Sequence, residues 1–92
     1  MRTYITNNGP AALREDFVNF KFEFRTELAT KEDKENNTWR GDILNQALKI
    51  LEDNNYFDDY DDWEFTFKYE SSNEEGDITY IATSIVVTLI VN

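Results

Sequence analysis

The segment FVNFKFEFRTEL, residues 17–28, alternates in character: Val18, Phe20, Phe22, Phe24 and Leu28 share one parity, while Asn19, Lys21, Glu23, Arg25 and Glu27 share the other. A two-residue period is that of a β-strand, whose successive side chains point to opposite faces. The apolar set needs a core and the polar set needs water, so the segment belongs to a sheet that is covered on one face and wet on the other. A second segment, WEFTFKYE, repeats the pattern, with Trp63, Phe65, Phe67 and Tyr69 on one side and Glu64, Thr66, Lys68 and Glu70 on the other.

The C-terminal ITYIATSIVVTLIV is β-branched and apolar on both faces over its second half. At about 3.3 Å per residue it would span about 46 Å, so a bend or bulge is expected near Ala82 to Ser84. Such a strand recruits other chains if its edge is bare, which requires it to be central or sealed by a partner chain. It is expected to pair with the WEFTFKYE segment as a hairpin, joined through a turn or loop at SSNEEGD.

Helical spacing occurs once at length. Ile43, Ala47 and Ile50 with Leu44, Leu48 and Leu51 form an apolar stripe, which predicts a helix from about Trp39 to Asp53, capped by Thr38 and ended by Asn54 and Asn55. RTYIT reads as a short first strand. Asn8 or Gly9 as N-cap with Pro10 at the first helical position predicts a short helix over about Pro10 to Asp16. ATKEDKENN reads as a charged loop. The expected fold is α+β, a mostly antiparallel three- to four-stranded sheet with one main helix packed on one face, in a single domain over residues 1–92.

The chain has 92 residues, enough for one core, and its seven Phe, five Tyr and two Trp supply apolar area that a short chain otherwise lacks. It has no Cys and no His, which removes disulfides, thiolate chemistry and the commonest general base and transition-metal ligand. MRTYITNNGP lacks an apolar signal core and no apolar run approaches a membrane span, so a soluble protein of the cytoplasm is expected, the host cytoplasm if phage-encoded.

Charge is unevenly placed. Of nineteen acids and nine bases, residues 52–77 hold eleven acids and one base, Lys68, so the whole net charge of −10 resides in that segment. Such a field repels nucleic acid and anionic membrane and attracts basic partners. Within it, YFDDYDDWEFTF sets acids between aromatic pairs. Asp53, Asn55, Asp61 and Glu64 fall at positions 1, 3, 9 and 12 of an EF-hand-length loop, but Phe57 and Asp58 stand at positions 5 and 6, where a ligand and a glycine are needed. Glycoside hydrolysis would need two carboxylates in a cleft, which a sheet-plus-helix domain of this size has little room to build. A seryl site lacks His, and three glycines form no phosphate-cradling loop. The chain is therefore read as a non-enzyme with no cofactor and no metal site. Its aromatics Phe57, Trp63, Phe65 and Phe67 are expected to fill the core.

Carboxylates on a rigid face can stand in for phosphates, so the natural partner is a basic protein surface that itself binds nucleic acid. The candidate partner-binding residues are Asp58, Asp59, Asp61, Asp62, Glu64, Glu70, Glu74 and Glu75, with Tyr56 and Tyr60. In size, acidity, α+β pattern and lack of His and Cys chemistry, the chain resembles the small proteins that phages encode to block host restriction, CRISPR or other DNA-handling enzymes, often by mimicking nucleic acid. The resemblance implies a host-defence or nucleic-acid enzyme as target, and no motif carries a residue role over. The alternative is a structural or assembly component, of a virion or as a homodimer or larger homo-oligomer, in which Ile85 to Val91 forms a subunit interface.

Overall fold

The computed structural model describes residues 1–13, 17–36 and 38–91, with the side chains of all of these except 11–13. Strands β1 (Arg2–Leu13), β2 (Phe17–Leu28), β3 (Asp62–Glu75) and β4 (Ile78–Ile90) form one antiparallel sheet in the order β1-β2-β4-β3. Helices α1 (Lys31–Glu35) and α2 (Trp39–Asp53) and a 3₁₀-helix (Tyr56–Asp59) connect β2 to β3. The molecule is elongated, 47 × 18 × 17 Å, because its strands run twelve to fourteen residues where about five or six is usual.

The two central strands set the core. β2 and β4 pair without interruption from Phe17↔Ile90 to Leu28↔Thr79, which brings Val18, Phe20, Phe22 and Phe24 onto the same face as Leu89, Val87, Ile85 and Ile81, all buried. Helix α2 lies on that face through Trp39, Ile43, Ala47 and Leu51, an i, i+4 row. Burying a side chain of Leu or Ile size contributes about 1.5–3 kcal/mol. The opposite face of the sheet is open. It carries Lys21, Glu23 and Arg25, with the Arg25 guanidinium 4.3 Å from the Tyr80 ring and Thr88 Oγ1 donating to Asn19 Oδ1 at 2.6 Å.

β4 is central, as its two apolar faces required. The hairpin to β3 turns at Gly76 and Asp77, with Gly76 at φ 62°, a left-handed conformation that glycine adopts without a Cβ penalty. Residues 71–75 of the expected turn are strand instead. The expected bulge is also displaced: β4 is continuous, and the register shift falls on β3 between Phe67 and Tyr69, opposite Ile85 and Ser84.

The expected helix at Pro10 is overturned over the described residues. β1 runs through Asn7–Pro10 to Leu13, pairing Gly9 with Lys21 and Pro10 with Phe20; residues 14–16 lie outside the described residues. A proline is tolerated there because β1 is an edge strand, and the register breaks on either side, between Ile5 and Asn7 and between Pro10 and Ala12. Pairing against the strongly patterned β2 outweighs the local start signal.

ATKEDKENN contains helix α1, where Thr30 and Asp33 make a capping box: Asp33 N donates to Thr30 Oγ1 at 3.0 Å and Thr30 N to Asp33 Oδ2 at 3.2 Å. The N-terminal ammonium, 3.0 Å from the Asp33 carboxylate, and the Thr30 bonds hold that carboxyl below its ordinary pKa. Thr38 precedes α2 without a side-chain capping bond.

Candidate functional site

Helix α2 crosses the sheet obliquely. Near its start Arg40 donates to both oxygens of Glu70 on β3 at 2.8 Å, while further along Gln46 Nε2 donates to Thr3 O on β1 at 2.9 Å and Ile50 and Asn54 border the hollow at Asn8–Pro10. A fifteen-residue helix reaches only about 22 Å, half the length of these strands. Moving toward β1, it leaves the first half of β3 without a cover.

That half contains Trp63, Phe65 and Phe67, which pair with Leu89, Val87 and Ile85 and so share the helix face of the sheet. The expectation that all three fill the core is corrected: Phe67 packs against it, but Trp63 is 39% and Phe65 41% exposed. Their rings form a row, Trp63 and Phe65 stacked at 6.1 Å and Phe65 edge-on to Phe67 at 6.0 Å. Tyr69 does not continue this face. The register shift after Phe67 pairs Tyr69 with Ser84, whose β2 partner is Glu23, so Tyr69 lies on the open face and is 58% exposed. One bulge thus reverses the parity read from WEFTFKYE.

The ten candidate residues are not brought onto one face. Asp58 and Asp59 sit on the 3₁₀-helix, with Asp61 next to the start of β3, its N–H donating to Ile90 O at 2.9 Å. Asp62 and Glu64 follow on the open face of β3, paired with Ile90 and Thr88. Glu70 lies mid-strand on the helix face and is held by Arg40. Glu74 and Glu75 lie at the far end, where Glu74 Oε1 accepts from Thr79 Oγ1 at 3.4 Å and the Lys34 ammonium reaches Asp77 O at 2.8 Å. The acids are strung along one edge of the sheet, densest where α2 and the 3₁₀-helix end.

Tyr60 is half-buried, whereas Tyr56 is 38% exposed, as open as Trp63. Tyr56 packs its ring 4.6 Å from Phe20, and Tyr60 and Phe57 rest on the core, bordering with Asp61, Asp62 and Trp63 an open hollow beside the bare aromatic row. Asn55, at φ 60°, makes the chain reversal that brings the 3₁₀-helix back over Phe20. Asp53, Asn55, Asp61 and Glu64 are divided among the helix end, this reversal, the link before β3 and β3 itself. Among the described residues no group of three or more acids is arranged to hold a metal ion, and no helix is long and apolar enough to cross a membrane.

What the sequence reading missed is the edge itself. β3 lies outermost in the sheet, and along its fourteen residues the outward backbone has no strand partner among the described residues. Compared with protein-family models, curated proteins and solved structures, the chain matches none.

Proposed function

We propose that the chain is a non-enzymatic acidic binding protein, which docks the β3 edge and the adjoining 3₁₀-helix onto the basic nucleic-acid-binding groove of an enzyme and inhibits it in the host cytoplasm. The observation that carries this reading is the placement of Asp58, Asp59, Asp61, Asp62 and Glu64 together at one end of a sheet edge, beside exposed aromatic rings. A fixed row of carboxylates is steered to a Lys/Arg-lined groove and displaces the nucleic acid that the groove otherwise holds. The exposed rings would then be desolvated at the contact, where aromatic side chains carry a large share of binding energy. The small phage-encoded inhibitors of restriction and CRISPR enzymes that the chain resembles in size and acidity often act by such mimicry.

The test changes Asp58, Asp59, Asp61 and Asp62 together to Asn, which preserves size and polarity. The fold should survive, since these side chains are exposed. Partner captured from a bacterial lysate by the wild-type protein should bind the variant more weakly by about two orders of magnitude at low salt, chiefly through slower association. Duplex DNA or RNA should compete for the same site. Equal affinity with an unchanged salt slope would reduce the acids to a solvated connection between helix and strand.

A further inference from the structure

We propose that Asp62 to Phe67 of β3 accepts an extended segment of the partner as a fifth strand, and that this segment alternates Lys or Arg with apolar residues. The inference rests on the acidic-edge reading above and adds how the edge is engaged.

Three observations converge. Asp62 to Phe67 pairs residue for residue with Ile90 to Ile85, with no register shift, so its outer side is a straight ladder about 20 Å long. The bulge at Lys68 ends that ladder and sets the length of the added segment at about six residues. The faces beside the ladder differ: Trp63 and Phe65 stand bare on the helix face with the half-buried Phe67 after them, and Asp62, Glu64 and Thr66 stand on the open face. An added strand would therefore place alternate residues against rings and against carboxylates. In strand addition, main-chain hydrogen bonds give affinity and the alternating side-chain environments give specificity.

Charge decides against a second copy as the occupant. β3 carries five acids and one Lys, and the chain is at −10, so pairing β3 with another β3 would set acids beside acids, which destabilises a strand pair. Pairing β3 with β1 of another copy fails for a different reason: β1 carries Pro10 and two register shifts and offers no straight ladder of equal length. A basic, alternating segment satisfies both faces.

The experiment uses the intact protein, isotope-labelled, with an acetylated and amidated octapeptide of alternating Lys and Val. Two controls accompany it: the same peptide N-methylated at alternate backbone nitrogens, prepared in both registers, and a peptide of the same composition with Lys and Val in separate blocks. The alternating peptide should shift the backbone amides of residues 62–67 and their β4 partners, and both the block peptide and at least one N-methylated register should bind about tenfold more weakly or worse. The variant Glu64→Lys, folded by its thermal melt, should lose a similar factor. If every peptide binds equally and with a steep salt dependence, charge docking stands and strand addition is wrong. If the alternating peptide does not bind, or shifts amides elsewhere, strand addition is wrong, and if no basic peptide binds at all the acidic-edge reading falls with it.

Discussion

The two outer strands of this sheet handle the same problem differently. Among the described residues, both β1 and β3 have a side with no strand partner, which invites added strands. β1 is blunted by its own backbone, with Pro10 lacking an N–H and two register shifts breaking the ladder. β3 has one shift and no proline, and relies on charge: Asp62, Glu64, Glu70, Glu74 and Glu75 with Lys68 at the bulge. A broken ladder refuses every partner, whereas a charged straight ladder refuses only partners of like charge. The contrast teaches that an edge can be blunted by its backbone or by its charge, and on the function proposed above the second kind leaves β3 open to a basic partner.

The contrast can be broken most sharply with two phenylalanines of the same local pattern. Phe22 is 1% exposed on a central strand, and Phe65 is 41% exposed on the free one. Phe22→Asp would force an unpaired carboxylate into the core and should abolish cooperative folding, read as loss of the thermal transition. Phe65→Asp should fold and lose only about 1–2 kcal/mol, from ring contacts and strand preference.

Between these extremes falls the helix. Ile43→Ala, at a fully buried position facing the sheet, should cost about 2–5 kcal/mol in denaturant unfolding. Leu48→Ala should cost less than Ile43→Ala, because Leu48 is only half-buried at the rim of the stripe.

A smaller effect tests the electrostatic half of the contrast. Asp62→Asn with Glu64→Gln removes two charges from the straight part of β3. The amide oxygen introduced by Asp62→Asn can still accept the bond that Trp63 N makes to Asp62 Oδ1 at 2.8 Å. Self-association measured by sedimentation should strengthen by about tenfold, or ~1.4 kcal/mol. No change would mean that like-charge repulsion is not what keeps this edge free.

The smallest effect lies far from both edges' centres. Asp33 is shifted below its ordinary pKa by the N-terminal ammonium first, and by the Thr30 bonds. Its contribution is present above the unfolded carboxylate pKa and is lost as pH falls through the lower folded value. Comparing wild type with Asp33→Asn over that acidic range should show a stability difference that shrinks as the pH drops.

Strict alternation in residues 17–28 established β2 and which of its faces is buried, since inward and outward side chains differ in solvation free energy wherever the strand is placed. Three-and-four spacing fixed α2, with the bounds Trp39–Asp53 legible from the stripe and the asparagines that follow; Trp39 itself, 2% exposed, continues the row one step N-terminal and could have been read from it. The two-faced apolarity of β4 required a central place. Other features turn on comparisons no local window contains. Pro10 in a strand depends on β2 lying alongside, and Tyr69 is turned to the open face by a bulge that only the pairing with β4 reveals. Trp63 and Phe65 read like Phe20 and Phe22, because local hydrophobicity encodes a need for burial but not whether another element arrives to meet it. That was decided by the reach and direction of α2, held over β3 at Arg40–Glu70 and over β1 at Gln46–Thr3. The helix is about half as long as the strands it crosses, so part of the apolar face had to stay uncovered, and tertiary packing placed that part on the edge where the acids already were.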